Sequence, residues 1–235
     1  MGAPRQGRTG KRGDLPMAHQ AGGRRPIPRP GPETPEARAY LEDYAAFLHA
    51  VPFPSLVVDR RWDVLLANTA FRTLFRDVEP HPTAMPGDNF LRFVLFHPDA
   101  ATVLGEHESS WCLPMLAHFA KTVERYDHDH GLQAIRRDIA QDPIMEAAYR
   151  QGLPHWLRAV GEQAAEHDGA VRPLRHPDPR WGATDCRLVV ETTRILDDMD
   201  CIRLTLVLRE ARRAPSGHRR RRRAASHLSV VPEPF

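Results

Sequence analysis

Four consecutive titratable residues form the densest metal-like cluster in the sequence: Asp127, His128, Asp129 and His130. Imidazole and carboxylate groups are ligands of zinc, and the chain contains thirteen histidines. On a helix, however, residues two apart point in different directions, so His128 and His130 could share a metal only in an extended segment. We therefore interpret this cluster as a solvated helix end rather than as a metal site.

The other residues capable of catalysis do not form known catalytic motifs. The sequence has no HExxH zinc motif, no glycine-rich phosphate loop and no GxSxG nucleophile elbow. The three cysteines, Cys112, Cys186 and Cys201, are far apart and without a CxxC pair, which indicates small apolar core residues rather than a disulfide framework or a zinc site. Nothing in the sequence requires an enzyme, a metal or a cofactor.

Arg92 is the charged residue in an aromatic segment, 89–98, that predicts a short, well-buried helix. Asn89 can cap this helix, and Pro98 lies just past its end. The guanidinium group of Arg92 can reach the surface along its aliphatic stem, or it can meet the polar end of an apolar ligand. Both alternatives stay open at this point.

The stretch 54–75 predicts the element around which the fold is built. Leu56–Val58 has the composition of a half-buried strand, and after a polar turn the alternation over Trp62–Ala67 predicts a second strand. Asn68 follows at once as the N-cap of a helix whose apolar face includes Phe71. A strand, a turn, a strand and an Asn-capped helix resemble the start of a PAS-like sensor domain.

Helical periodicity dominates the flanks of this stretch and the middle of the chain. Before it, Thr34-Pro35 begins an amphipathic helix that could pack on the sheet or mediate dimerisation. After it, the strongest pattern spans 109–126, with Pro114 in the first turn. Three shorter helices are predicted around Leu132–Ile139, from the Asp142 cap to Gly152, and from Pro154 with Trp156, Leu157 and Val160 buried.

The pattern returns to a period of two near the end of the chain. Val171–His176 is extended but contains Pro173, which restricts that strand to a sheet edge or makes it irregular. Segments 184–192 and 201–209 alternate apolar and polar residues and predict an antiparallel hairpin. We therefore expect an α+β fold: a single PAS-like antiparallel sheet, made of the N-terminal hairpin and the C-terminal strands, with the helical insertion covering one of its faces.

The charge of the chain is distributed unevenly. The whole chain has 33 basic and 30 acidic residues. Residues 1–32 and residues 211–235 each carry seven of the basic residues and one of the acidic residues, which leaves a net charge of −9 on residues 33–210. We predict disordered basic tails at 1–33 and 211–235 around one domain at 34–210. Five consecutive arginines, Arg219–Arg223, can bind nucleic acid only non-specifically, and a solvated tail without a nucleic-acid partner is the more common explanation of such a run. No apolar run is long enough for a membrane helix and no export signal is visible, so we predict a cytoplasmic protein.

The order of several local motifs resembles the ligand-binding domain of MmyB-like transcription regulators. The first two motifs are Trp62–Asn68 and the pattern Asn89-x-Leu-Arg-x-x-x-Phe-x-Pro98. Helices carrying Trp111 and Trp156 follow, and then the segment from His176-Pro177 to Gly182 leads into the final strands. The resemblance covers roughly residues 36–210 and depends on the order of the motifs.

This resemblance implies a bacterial PAS-like sensor that binds a small apolar or fatty-acyl ligand and controls transcription. Family members usually carry an N-terminal helix-turn-helix domain, and residues 1–33 are too short and too rich in Pro and Gly to form one. A cavity between the sheet and its helical cover is the expected ligand site. The predicted ligand-binding residues come from two helices and are Arg92, Phe93, Phe96, Trp111, Met115 and Phe119.

Three hypotheses remain open from the sequence. The first is a small-molecule sensor domain, and the second is a protein-interaction or homodimerisation module of the same fold with a filled core. The third is a cofactor-binding PAS protein or an enzyme built on this fold, which we rank last. We expect no cofactor and no catalytic residue.

Overall fold

A computed structural model of the protein describes residues 34–209. These residues contain one five-stranded sheet in the order β2-β1-β5-β4-β3, in which all neighbouring strands are antiparallel. The strands are β1 (Ser55–Asp59), β2 (Val64–Ala67), β3 (Val171–Arg175), β4 (Ala183–Glu191) and β5 (Cys201–Leu208). Because β1 pairs directly with β5, the two ends of the domain lie side by side, which confirms the predicted PAS-like α+β fold. The predictions for residues 1–33 and for 210–235 lie outside the described residues.

Nine α-helices surround this sheet within residues 34–209. They are α1 (Pro35–His49), α2 (Thr69–Leu74), α3 (Phe90–Phe96), α4 (Ala100–Val103), α5 (Leu113–Arg125), α6 (His130–Gln141), α7 (Pro143–Ala147), α8 (Leu153–Val160) and α9 (Arg194–Asp198). Two π-helical segments, His107–Cys112 and Ala148–Gly152, lead directly into α5 and α8. No helix in this part of the chain is long and apolar enough to cross a membrane.

Asn68 holds the N-terminal hairpin together, as its position after β2 predicts. Its side-chain oxygen accepts hydrogen bonds from the backbone N–H groups of Phe71 (2.9 Å) and Ser55 (3.0 Å). Its amide group donates to the carbonyl oxygens of Phe53 (2.8 Å), Val51 (3.0 Å) and Leu48 (3.3 Å). The buried Asn68 side chain therefore caps α2 and also fixes the chain between α1 and β1.

The main hydrophobic core lies between one face of the sheet and the helical insertion. The sheet contributes alternate residues of β4 and β5, such as Leu188, Leu204 and Leu206, all at most 1% exposed. The insertion contributes aromatic residues such as Phe90 and Trp111, which are fully buried. Burial of this apolar surface against the helices is the main source of stability of such a fold.

The opposite face of the sheet is not left bare, and the expectation that helices cover only one face is wrong. Val57 and Cys201 point to this second face and are at most 1% exposed. Leu48 of α1 and Leu196 of α9 pack against them in a second, smaller apolar cluster. The strand β1 is therefore buried on both faces, which explains its uninterrupted apolar run Leu56–Val58.

Trp62 lies outside β2, although the alternation predicts it within a strand. Its backbone has a φ of 66°, which is the left-handed region that bulky residues rarely adopt. This conformation turns the chain at the end of the hairpin and buries the indole ring, which is only 2% exposed. A strained backbone at a buried ring is a feature that often accompanies functional sites.

The helical insertion differs from the prediction in three places. The predicted helix at 109–126 begins earlier, at His107, through a π-helical segment, while Pro114 does lie in the first turn of α5. Gly152 does not end a helix, because the chain continues through the second π-helical segment into α8. Within α8, Val160 is 51% exposed and Trp156 and Leu157 are half-buried, so the predicted burial of all three is wrong.

Pro173 lies in the edge strand β3, as predicted, and its carbonyl group joins this edge to the helices. The oxygen accepts hydrogen bonds from the backbone N–H of Gly105 and from the indole Nε1 of Trp111, both at 3.0 Å. Since proline has no N–H to offer a sixth strand, the edge is used for helix attachment instead.

Candidate ligand-binding site

Four of the predicted ligand-binding residues meet in the main core. Phe93, Trp111, Met115 and Phe119 are each at most 1% exposed and belong to one contiguous apolar cluster. The Phe93 ring lies 5.1 Å from Phe75, with the two rings nearly perpendicular. The structure therefore brings these four side chains into the space between the sheet and its helical cover, where a PAS-like ligand site is expected.

Arg92 and Phe96 lie on the outer side of α3 and are half-buried. Arg92 forms an ion pair with Asp138 at 2.5 Å between guanidinium nitrogen and carboxylate oxygen. Both residues and Phe96 line an open cavity of about 690 Å³ together with Ile144. In this structure the charge of Arg92 is thus balanced by a residue of α6.

A second set of polar side chains, not predicted from the sequence, lies inside the fold at the edge of the aromatic core. The ring of His167 is 4.7 Å from that of His118 and 5.2 Å from that of Trp62, between centroids. The Trp62 ring also meets His118 edge-on at 5.6 Å. The contacts of these rings are edge-on or tilted, and His167, which is 5% exposed, lies on the inside of this layer of rings.

Arg172 lies next to His167 and is 3% exposed, which is unusual for an arginine. Its guanidinium group donates a hydrogen bond to Nδ1 of His167 at 2.8 Å and lies 5.1 Å from the centre of the Trp111 ring. Within the described residues, its second terminal nitrogen and Nε2 of His167 have no hydrogen-bond partner. Unpartnered buried polar groups are costly, so this pair is the most conspicuous polar feature of the core.

Burial determines the protonation of this group of side chains. Burial lowers the pKa of His167 well below its ordinary value, and the nearby Arg172 and His118 lower it further. Burial also lowers the pKa of His118. The same cause lowers the pKa of Arg172 to about 10, which still leaves the guanidinium charged at neutral pH. The site therefore combines a neutral His167 with a positively charged Arg172.

A cavity of about 400 Å³ lies directly outside this layer of rings. Its walls include Trp62 and His118, which pack on His167, and also Tyr126 and Ile202. The residues at its rim carry charges of both signs, among them Asp59, Arg60 and Lys121. The cavity therefore opens onto the Trp62 and His118 rings, which separate it from His167.

The residues considered first for metal or nucleophile chemistry have structural roles. His128 is exposed, with 97% of its side chain accessible, whereas Asp129 caps α6 and pairs with Arg60 and Arg61. Among residues 34–209, no group of three or more His, Cys, Asp or Glu could hold a metal ion. The three cysteines are free, and burial raises the pKa of each to about 12, so they remain protonated thiols.

Sequence reasoning missed this polar group for identifiable reasons. His118 follows Trp111 by seven residues and Met115 by three, so helical spacing alone places it on the buried stripe of α5. Arg172 alternates with Leu174 in β3 and therefore shares its inward face. For His167 the local sequence carries no comparable signal.

The fold and the site together define a PAS-like ligand-binding domain, with a closed sheet-and-helix core and a cavity at its edge. The chain belongs to the family of MmyB-like transcription regulator ligand binding domains, whose family model matches residues 42–216. This match confirms the resemblance seen in the order of the sequence motifs. No curated protein matches the sequence.

Proposed function

We propose that this domain senses a small apolar or fatty-acyl ligand, which it binds between the sheet and α5, and that ligand binding controls transcription. The cavity of about 400 Å³ at the edge of the main core carries this proposal, because Trp62, Tyr126 and Ile202 give it an apolar wall, while most of its other lining residues are charged or polar. Its volume lies in the range of small-molecule pockets.

Behind this cavity, we propose that the ligand reaches Trp111, Met115 and Phe119 of the π-helical segment and α5, and Phe93 of α3. All four side chains are fully packed in the structure, so a ligand that enters must displace some of them. Met115 is suited to this because its unbranched side chain adapts to different neighbours. If the ligand displaces side chains of α5, ligand binding would also shift the position of this helix in the domain.

The ligand contacts predicted for Arg92 and Phe96 stay a prediction. Both residues line the open cavity beside Asp138, here called the outer cavity, and this cavity is a separate place where an apolar molecule could bind. Substitution of Arg92 by Met should weaken ligand binding only if this outer cavity is the site.

Ligand titration of a cavity-filling variant tests the sensor function. Ile202→Trp places a larger side chain in the cavity at the edge of the main core. We expect it to weaken the binding of dodecanoate at least about tenfold, measured by native mass spectrometry and by tryptophan fluorescence. Ile195→Trp is the matched control, since Ile195 lies 44% exposed on α9, and it should bind like the unmodified protein. Equal binding by both variants would contradict the proposed site.

Sequence-specific DNA recognition belongs, we propose, to a helix-turn-helix domain other than residues 34–209. The acidic balance of residues 33–210, a net charge of −9, supports this because phosphate backbones are bound mainly by basic surfaces. The arginine-rich tails at 1–33 and 211–235 would add only non-specific affinity for nucleic acid.

We further propose that the domain is not an enzyme and works in the cytoplasm. Membership of a regulatory ligand-binding family supports the first point. Three free, buried cysteines in the protonated form support the second, because exported proteins commonly use their cysteines in disulfides. Neither proposal involves a bound cofactor.

A second candidate function is a protein-interaction or homodimerisation module. Phe47 favours it, because this residue of α1 is 55% exposed and forms an aromatic row with Tyr44 and Tyr40. Sedimentation analysis of the protein and of Phe47→Ser would distinguish this function from ligand sensing. A dimer that the substitution dissociates, in a protein that binds no amphiphile, would favour the interaction module.

A further inference from the structure

A groove follows the free edge of the sheet beside β2. This strand is the last of the sheet on its side, and among the described residues no further strand pairs with it. A cavity of about 420 Å³ lies there, lined by all four residues of β2, by α1, by α2 and by the loop at 86–87. Its lining is apolar apart from His49 and Arg72. The groove shares no lining residue with the two cavities beside Trp62 and Arg92.

The backbone of this edge has hydrogen-bonding groups that an added strand can use. The N–H of Asn68 donates to the carbonyl oxygen of Ser55 at 3.0 Å, so this pair faces β1. Because such pairs alternate along an antiparallel ladder, the N–H and C=O of the neighbouring Ala67 point away from β1. At the start of β2, the N–H of Val64 already donates to the carbonyl oxygen of Asp88 at 2.8 Å. The usable part of the edge is therefore the end of β2, where a short strand fits.

The chain leaves β5 close to this groove. The N–H of Leu206 donates to the carbonyl oxygen of Pro54 at 2.8 Å, so the end of β5 lies beside the start of β1, as the end of β2 does on the other side. A cavity of about 370 Å³ at this end of the sheet is lined by Leu208 and His49. Since His49 also lines the groove, the two cavities adjoin and lead from the end of β5 to the edge of β2.

The C-terminal tail contains a segment that matches the groove. Leu228–Val231 reads Leu-Ser-Val-Val, which is apolar and suited to a strand, and Pro232 would end the pairing. A strand added beyond β2 lies three strand spacings from β5, roughly 14 Å, and residues 210–227 can extend over roughly 60 Å. Residues 211–235 carry seven arginines and one acid, a net charge of +6, against −9 on residues 33–210. Charge therefore draws this tail toward its own domain.

We propose that Leu228–Val231 binds in the groove as a sixth strand, so that the C-terminal tail closes the free edge of its own sheet. The added strand is antiparallel to β2, because it enters beside the end of β2 and runs back along it. Its apolar side chains occupy the cavity between α1 and α2, and the closed edge is protected from pairing with other chains. This inference does not depend on the proposed sensor function.

Disulfide crosslinking in the full chain tests where the tail binds. Gly87→Cys places one thiol in the groove, and Val231→Cys places the other on the tail. Among the described residues, no atom beyond the two chain neighbours lies within 4 Å of a Cβ added at Gly87, so this substitution leaves the fold intact. The three native cysteines are buried and therefore react slowly.

With oxidised glutathione as the acceptor of the electrons of the two thiols, this pair should form its intramolecular disulfide at least about tenfold faster than a control pair. The control is Ile195→Cys with Val231→Cys, because Ile195 is 44% exposed on α9. Equal rates in the two pairs would overturn the proposal. Disulfides that form more readily between mixed chains carrying the single substitutions would mean that the tail of a second copy occupies the groove, which would also overturn it.

Amide hydrogen exchange tests the strand pairing itself. The N–H of Ala67 should exchange at least about tenfold more slowly in the unmodified chain than after Val230→Asp with Val231→Asp, since the added strand accepts its hydrogen bond. Ala224→Asp with Ala225→Asp is the matched control, which changes the charge of the tail equally but keeps the apolar segment. It should retain the slow exchange. Equal exchange of Ala67 in all three chains, or its loss of protection in the control, would overturn the assignment.

Discussion

Asp129 joins two segments of the chain and shows what a single buried carboxylate contributes. One carboxylate oxygen accepts hydrogen bonds from the N–H groups of Gly131 (2.9 Å) and Leu132 (3.1 Å), which caps α6. The same carboxylate pairs with Arg61 at 2.7 Å and with Arg60 at 3.2 Å. Because both arginines belong to the turn after β1, Asp129 fixes the helical insertion to the N-terminal hairpin.

The pKa of Asp129 reflects these contacts. Burial alone raises it, but the hydrogen bonds from Arg61, from the Leu132 N–H and from Arg60 outweigh burial and lower the pKa from 3.8 to about 2. A carboxyl group with a lowered pKa stabilises the folded state above its ordinary pKa, and this stabilisation is lost as the pH falls from about 4 to about 2.

Asp129→Asn should therefore destabilise the domain in a pH-dependent way. We expect a loss of about 1–2 kcal/mol in the free energy of unfolding at pH 7, since the two arginines are about one-third exposed and solvent weakens the ion pairs. Urea unfolding at pH 7 and near pH 2 measures this loss, and the difference between variant and unmodified protein should become much smaller at the lower pH, where the carboxyl group of the folded protein is itself partly protonated.

Asp127→Asn is the control for this experiment. The Asp127 side chain is 69% exposed and forms an ion pair with the exposed His128, at 3.4 Å. Its substitution should change the free energy of unfolding by less than about 0.5 kcal/mol. An equal effect of the two substitutions, or an Asp129 effect that is undiminished near pH 2, would contradict the role given to Asp129.

At the scale of elements, α1 covers the second face of the sheet, which is the face opposite the main core. Leu48 is 1% exposed and packs in the cluster that contains Val57, Leu196 and Met199. The amide of Asn68 bonds the carbonyl groups of Leu48 and Val51, which fixes the end of α1 beside β1. The N-terminal helix is therefore an integral part of the domain rather than an attachment to it.

Leu48→Ala should reveal this contribution directly. Removing a fully buried leucine side chain leaves a cavity, and we expect the free energy of unfolding to fall by about 2–4 kcal/mol, measured by urea denaturation. Phe47→Ala is the control on the same helix, because Phe47 is 55% exposed, and it should cost less than about 1 kcal/mol. A small effect of Leu48→Ala would mean that α1 is not part of the cooperative fold.

At the scale of the whole molecule, the predicted DNA affinity depends on the tails and not on the acidic domain. Replacing Arg219–Arg223 by glutamine should reduce the salt dependence of DNA binding. If each arginine neutralises one phosphate, the slope of log K against log salt should decrease by about 4 to 5. Titration of two unrelated duplexes over a range of salt concentrations measures this slope.

A scrambled duplex is the control, because binding through charge alone does not depend on base sequence. The chain should bind both duplexes equally, and both complexes should dissociate at physiological salt. A sequence-selective complex that persists at that salt concentration would contradict the proposal that DNA recognition resides elsewhere.

The sequence by itself determined the local features of this protein: the helix caps at Thr34, Asn68 and Asn89, the alternation of β4 and β5, and the edge position of Pro173. These features depend on residues within a few positions of one another, so their signals are visible in short windows. The order of such motifs was also sufficient to indicate the family.

The tertiary structure alone decided which polar residues are buried and what they face. Arg172 meets Trp111, and Asp129 meets Arg61, across more than sixty residues of sequence. The left-handed backbone of Trp62 and the second apolar cluster under α1 likewise follow from packing between distant segments. Burial is a property of the assembled core, where a charge is costly unless it is paired, and local periodicity does not encode it.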